Sequence, residues 1–95
     1  MQVFIAIPLT ANSAQLNAAV VEHIEPANRY KLAADRGWLI RFSGTTVELS
    51  DAIGITGQPT GTPSPVGPAL VAPITSYYGR GATEMWEWLK TRFEQ

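Results

Sequence analysis

The residue types best suited to holding a ligand sit together at Tyr77-Tyr78-Gly79-Arg80-Gly81. Two glycines let backbone N–H groups approach an anion. The start of a following helix favours negative charge, and Arg80 adds a forked, bidentate donor. Tyr77 or Tyr78 offers a ring on which a base could stack. The ligand this implies is a small anion or a nucleotide, and a sensor or a cofactor-independent enzyme would use it. The competing reading is a plain strand-to-helix turn whose tyrosines cover the edge of the core. The segment matches neither a Walker A loop nor a dinucleotide fingerprint. Glu84, one turn into the helix, would repel a phosphate.

Acid–base and metal chemistry have little to work with. His23 is the only histidine, and there is no cysteine. A thiol nucleophile, a disulfide framework, a thiolate zinc site and a two-histidine site are thereby excluded. His23 falls on the apolar-leaning face of a helix, which implies a hydrogen-bonded packing residue rather than a general base. Glu22 and Glu25 flank it, and Glu48 and Asp51 stand at i, i+3. The first role expected of Glu48 is a helix cap, and solvated helix faces account for the others. No Ser-His-Asp pattern is present, and neither metal nor cofactor is expected.

The aromatics Trp38, Phe42, Tyr77, Tyr78, Trp86 and Trp88 suit a core or a subunit interface, where large rings are favoured. They could alternatively form a stacking platform. Val3–Leu9 (VFIAIPL) and Arg36–Phe42 (RGWLIRF) are similar in outline to the first- and third-strand signatures of RNA-recognition motifs. That resemblance implies single-stranded RNA binding on a sheet face, with Phe4 and Trp38 as the stacking positions. Leu39, Ile40 and Arg41 depart from the pattern. Seven Lys+Arg against eight Asp+Glu give a net charge of −1, which does not suit a phosphate-gripping domain. Nucleic acid is therefore not the expected partner.

These residues must be positioned by a short list of elements. Val3–Leu9 is an apolar, β-branched run closed by Pro8 and predicts a buried strand. Asn12 with Gln15 suggests a capping box, with Thr10 or Ser13 as competing caps. Leu16, Ala19, Val20, His23 and Ile24 then mark one face of a helix that Pro26 ends. Arg29–Asp35 and Trp38–Phe42 predict a hairpin turning at Asp35-Arg36-Gly37. Thr45 and Glu48 form a second capping box before Leu49, Ala52 and Ile53, and Gly54 stops that helix. Residues 56–68 hold four prolines, three glycines and no charge, which predicts a flexible loop. Ala69–Tyr78 predicts a strand interrupted by Pro73, hence an edge or a bulge. A last helix over 82–95 carries Ala82, Met85, Trp86, Leu89 and Phe93 on one face, with acidic residues early and basic residues late.

The order β-α-β-β-α-β-α predicts an α+β domain over 1–95: a ferredoxin-like split β-α-β with an additional C-terminal helix. Apolar residues on both sides of the strands, such as Val3, Ile5 and Ile7 against Phe4 and Ala6, imply that both sheet faces are dry. The second face would be covered by the C-terminal helix or by another subunit. Charged residues are only 16% of the chain, low for so small a domain: either part of the surface is covered, most simply by another copy of the chain, or the uncharged loop over 56–68 dilutes the count. The expectation is a small binding or interaction module that forms a homo-oligomer through sheet faces or through Met85, Trp86, Leu89 and Phe93. No leader and no run of membrane-spanning length is read in the chain, so a cytoplasmic location without membrane partners is expected.

Overall fold

The computed structural model describes residues 1–93. Its elements are β1 (Gln2–Pro8), α1 (Ala14–His23), β2 (Arg29–Lys31), β3 (Trp38–Phe42), α2 (Thr46–Ala52), β4 (Ala69–Pro73) and α3 (Thr83–Phe93), with single 3-10 turns at Pro26–Asn28 and Ala33–Asp35. The fold is α+β: three helices and a four-stranded antiparallel sheet in the order β2-β3-β1-β4. The final two residues of the helix expected over 82–95, Glu94 and Gln95, lie outside the described residues.

Local chemistry explains where the helices begin and end. Asn12 Oδ1 accepts from the Ala14 amide at 3.1 Å, while Ser13 at the N-cap makes no side-chain cap bond, so the Asn12/Gln15 capping box does not form. Leu16, Val20 and Ile24 are buried, as their spacing predicts. His23 is not a packing residue: its side chain is 46% exposed. The buried stripe runs through i, i+4 and i+8, which leaves His23 at its rim where α1 ends. At α2 both capping-box bonds form: Thr45 Oγ1 accepts from the Glu48 amide at 3.1 Å, and the Thr45 amide donates to Glu48 Oε1 at 2.9 Å.

The hairpin differs from expectation. The strand predicted over Arg29–Asp35 stops at Lys31, because Ala34 (φ 59°) and Asp35 (φ 55°) adopt left-handed backbone. Aspartate tolerates that conformation, and it is tied down on two sides. Lys31 Nζ lies 2.7 Å from Asp35 Oδ1, and Asn17 Nδ2 donates to the same oxygen at 3.3 Å. The hydrogen bond and charge of Lys31 hold the Asp35 carboxyl below its ordinary pKa. A lowered carboxyl pKa favours folding above the unfolded-state value, and the benefit is lost as pH falls through the folded value. Lys31→Ala is expected to raise the Asp35 titration midpoint, followed by NMR of the side-chain carboxyl. An unmoved midpoint would show that the ion pair does not form in solution.

Each sheet face has its own core. Phe4, Ala6, Trp38 and Ile40 pack beneath Leu16, Val20 and Ile24 and against Leu49 of α2 and Ile53 at its C-cap. Val3 and Leu39 on the other face pack against Trp88 and Leu89 of α3. Both faces are therefore dry, and α3 covers the second within the chain. The face expected for α3 does pack on this core, with Leu89 buried and Met85, Trp86 and Phe93 half-buried against it; the contact is wider than that stripe, because Trp88 is buried as well. Trp88 lies 6.2 Å from Tyr30 at a 50° tilt, and the Arg92 guanidinium sits 5.1 Å above its indole.

The segment over 56–68 has no regular structure but is fastened to the body. Val66 is buried in the first core. Ser64 Oγ donates to the Gly54 carbonyl at 2.8 Å and accepts from the Val66 and Gly67 amides. β4 is shorter than predicted, ending at Pro73 rather than Tyr78. It is an edge strand, as its proline implies.

Candidate functional site

The structure disperses most of the chemistry read at Tyr77–Gly81. Tyr77 stacks on Trp86 with centroids 6.0 Å apart and planes at 18°, and meets Phe93 edge-on at 5.1 Å. Tyr78 is fully exposed, and Arg80 is exposed as well. Neither Gly79 nor Gly81 has left-handed backbone. A Cβ at Gly81 would meet the flexible end of Met85, with Cε at 2.9 Å, and the Trp86 ring at 3.6 Å, so the turn lies against the start of α3. These residues serve the seating of α3, and Glu84 occupies its first turn. Arg80→Ala is expected to leave stability within about 0.5 kcal/mol of wild type, the range of surface substitutions, as read from urea unfolding. A larger loss would give Arg80 a packing role.

The stacking positions of the RNA-recognition outline are also displaced. Phe4 is wholly buried and Trp38 is 5% exposed, both beneath α1 and α2. The Trp38 indole N–H donates to Asn17 Oδ1 at 2.9 Å. Neither ring presents a face to a base.

A groove follows α1 and residues Ser64–Pro68. One part, of about 230 Å³, is lined by Thr10, Asn12, Gln15 and Ser64 among others. The next, of about 290 Å³, reaches Glu22 and His23. His23 Nε2 stands 3.9 Å from Glu22 Oε2, and both side chains are solvated. That pair lacks the short bond that orients a general base. Among the described residues, no group of three or more His, Asp or Glu could hold a metal ion. No described helix is long and apolar enough to cross a membrane.

A different feature stands out at the sheet edge, and its geometry follows from two hydrogen bonds. The Ile74 amide donates to the Val3 carbonyl at 2.9 Å, and the Leu9 amide donates to the Pro68 carbonyl at 3.0 Å. In an antiparallel ladder the direction of the backbone groups alternates. Leu70 and Ala72 therefore face β1, while Ala69, Val71 and Pro73 turn their backbone groups outward. The edge offers two N–H donors, from Ala69 and Val71, and three carbonyls. Side chains alternate too: Ala69 and Val71 pack on the first core, whereas Leu70 is 49% exposed. Beside Val71, a cleft of about 380 Å³ opens towards Thr46, Val47, Ser50, Asp51 and Thr56. Val47 is 67% exposed at its rim. The floor is held by a chain of hydroxyls: Ser50 Oγ lies 2.8 Å from Thr56 Oγ1, which donates to Asp51 Oδ1 at 2.5 Å.

Charge separates the two edges of the sheet. The β2 edge carries Arg29 and Lys31 on a three-residue strand. The β4 edge lies in a stretch, Ala52 to Gly79, with no Asp, Glu, Lys, Arg or His. Sheet proteins commonly protect an edge with charge; here only one edge is so protected. The sequence signals for this surface were the edge proline and the uncharged run, and neither marks an interaction until the strand order is known. No protein-family model matches the chain, and comparison with curated proteins and with solved structures found no similar protein.

Proposed function

We propose that the chain is a small binding and interaction module that works as a homo-oligomer, built on a ferredoxin-like split β-α-β with α3 added. The strand order supports that fold. Read from the other edge it is 4-1-3-2, with the β2-β3 hairpin returning beside β1 and with α1 and α2 on one face. The observation that carries the functional reading is the uncharged β4 edge, which no strand pairs among the described residues. The low charge of the chain argued for a covered surface. The sheet faces are covered by the helices of the same chain, so the support for self-association comes from the β4 edge, with its outward backbone groups and the exposed Leu70. Self-association then follows from backbone donors and exposed apolar side chains rather than from a catalytic group.

Sedimentation velocity over a range of concentrations tests this reading. A discrete oligomer is expected at micromolar chain concentration. A monomer that persists to high micromolar concentration would contradict it.

A further inference from the structure

We propose that β4 pairs antiparallel with β4 of a second copy of this chain, about a two-fold axis at Val71, to join two sheets into one. The proposal rests on the self-association reading above and names its surface and register.

The outward groups of β4 are complementary to themselves in that register. Val71 faces Val71 of the second copy, and each amide donates to the other's carbonyl. Ala69 faces Pro73 of the second copy, so the Ala69 amide meets the Pro73 carbonyl. Proline has no amide, and the group left without a donor is the Ala69 carbonyl. It lies at the end of the ladder, where water reaches it. Both outward donors of each edge are thus paired. Moving the axis to Pro73 would set two prolines opposite each other and lose the central bonds. Moving it to Ala69 would set Val71 against residue 67, outside the strand. An axis at Leu70 would also pair the Ala69 and Val71 amides, but it sets Leu70 against Leu70 in the closer kind of pair. The Val71 axis sets Leu70 against the small Ala72 instead, and a disulfide in Leu70→Cys alone distinguishes the two.

The side chains agree with this register. Leu70, 49% exposed, comes opposite Ala72 of the second copy, a large residue against a small one. These positions form the closer, non-hydrogen-bonded kind of pair. On the other face Val71 meets its own copy at the mouth of the cleft beside Val47. β4 itself brings no charged side chain to the junction, and the nearest charge is Asp51, in the cleft beside Val71. A two-fold contact of this kind closes on itself. The remaining edges, on β2, carry Arg29 and Lys31, which discourages further sheet growth.

The absence of native cysteine gives a clean test. Leu70→Cys and Ala72→Cys are prepared separately, then mixed, and each single variant and the mixture are oxidised mildly. In a non-hydrogen-bonded pair the Cα atoms are about 4.5 Å apart, within bridging range. Residue 70 of one copy and residue 70 of the other lie two residues out of register, too far to bridge, and the same holds for 72. The mixture is expected to give several-fold more disulfide-linked dimer than either variant alone. If the wild type sediments as an oligomer but the mixture shows no excess, the edge proposal is overturned while self-association stands. If the wild type is a monomer at high micromolar concentration, both are overturned.

Discussion

Trp88→Ala is expected to destabilise the protein by about 3–5 kcal/mol, the usual range for removing a large buried aromatic. Trp88 is 8% exposed and sits at the centre of the contact between α3 and the sheet. Its ring meets Tyr30 on β2 and lies under the Arg92 guanidinium, which also donates to the Ala27 carbonyl at 3.0 Å. An 11-residue helix has little stability of its own in water, so loss of this anchor releases the whole element. Val3 and Leu39 would then face solvent. The measurement is urea unfolding, with near-ultraviolet circular dichroism reporting the aromatic packing. A loss below about 1 kcal/mol would mean that α3 does not close this face. Trp88→Phe gives a second reading. Among the described residues the buried indole N–H has no hydrogen-bond partner, and neither does Arg41 Nε on the same face. An unpaired buried donor costs about 1–3 kcal/mol, so losing it offsets part of the lost contact. The phenylalanine variant is expected to fall well short of the alanine one.

Gly37→Ala is expected to cost about 3 kcal/mol, through backbone strain and overpacking acting together. Gly37 has φ 139°, a conformation that L side chains rarely adopt. A Cβ there would lie 2.3 Å from the Ala6 carbonyl oxygen and 2.9 Å from Ile7 Cγ2, and backbone cannot yield as a flexible side chain can. Gly37 also accepts the Leu32 amide at 2.9 Å, the bond that closes the β2–β3 connection. The substitution therefore acts on the register of β3 against both neighbours. Chemical unfolding gives the magnitude, and backbone NMR shifts of Trp38–Phe42 show whether the strand moves. A variant as stable as wild type would mean that this turn has another conformation in solution.

These positions also show how much of the molecule was legible from sequence. Elements with their own local chemistry were read well. The Thr45–Glu48 capping box starts α2 where expected, and Gly54 follows it with φ 86°. The β-branched run at Val3–Leu9 forms the central strand, and its two apolar faces are both buried. Elements decided by distant partners were read less well. Within Arg29–Asp35 the Lys31–Asp35 spacing permits an ion pair, but the second tie on Asp35 comes from Asn17, 18 positions away, and the left-handed backbone at Ala34 and Asp35 ends the strand earlier than its composition predicts. Trp88 suits a core by its type, but it lies off the stripe that the spacing of Met85, Leu89 and Phe93 marks, and only its contacts with Tyr30 and the sheet show why it is buried. Tyr77 looked like a ligand platform because its partner Trp86 lies nine positions away in sequence yet stacks on it in space. The β4 edge was hidden most completely. Its exposure follows from strand order, which no residue of β4 encodes alone.

The most direct test of the account is amide hydrogen exchange at Ala69 and Val71, measured across the concentration range in which the protein associates. The Ala72 amide faces β1 and is expected to be protected at every concentration. Ala69 and Val71 are expected to exchange freely when dilute and to gain protection together as the oligomer forms. Association that leaves both amides as fast as in the dilute protein would contradict the account, because the edge would then be unpaired in the assembled state.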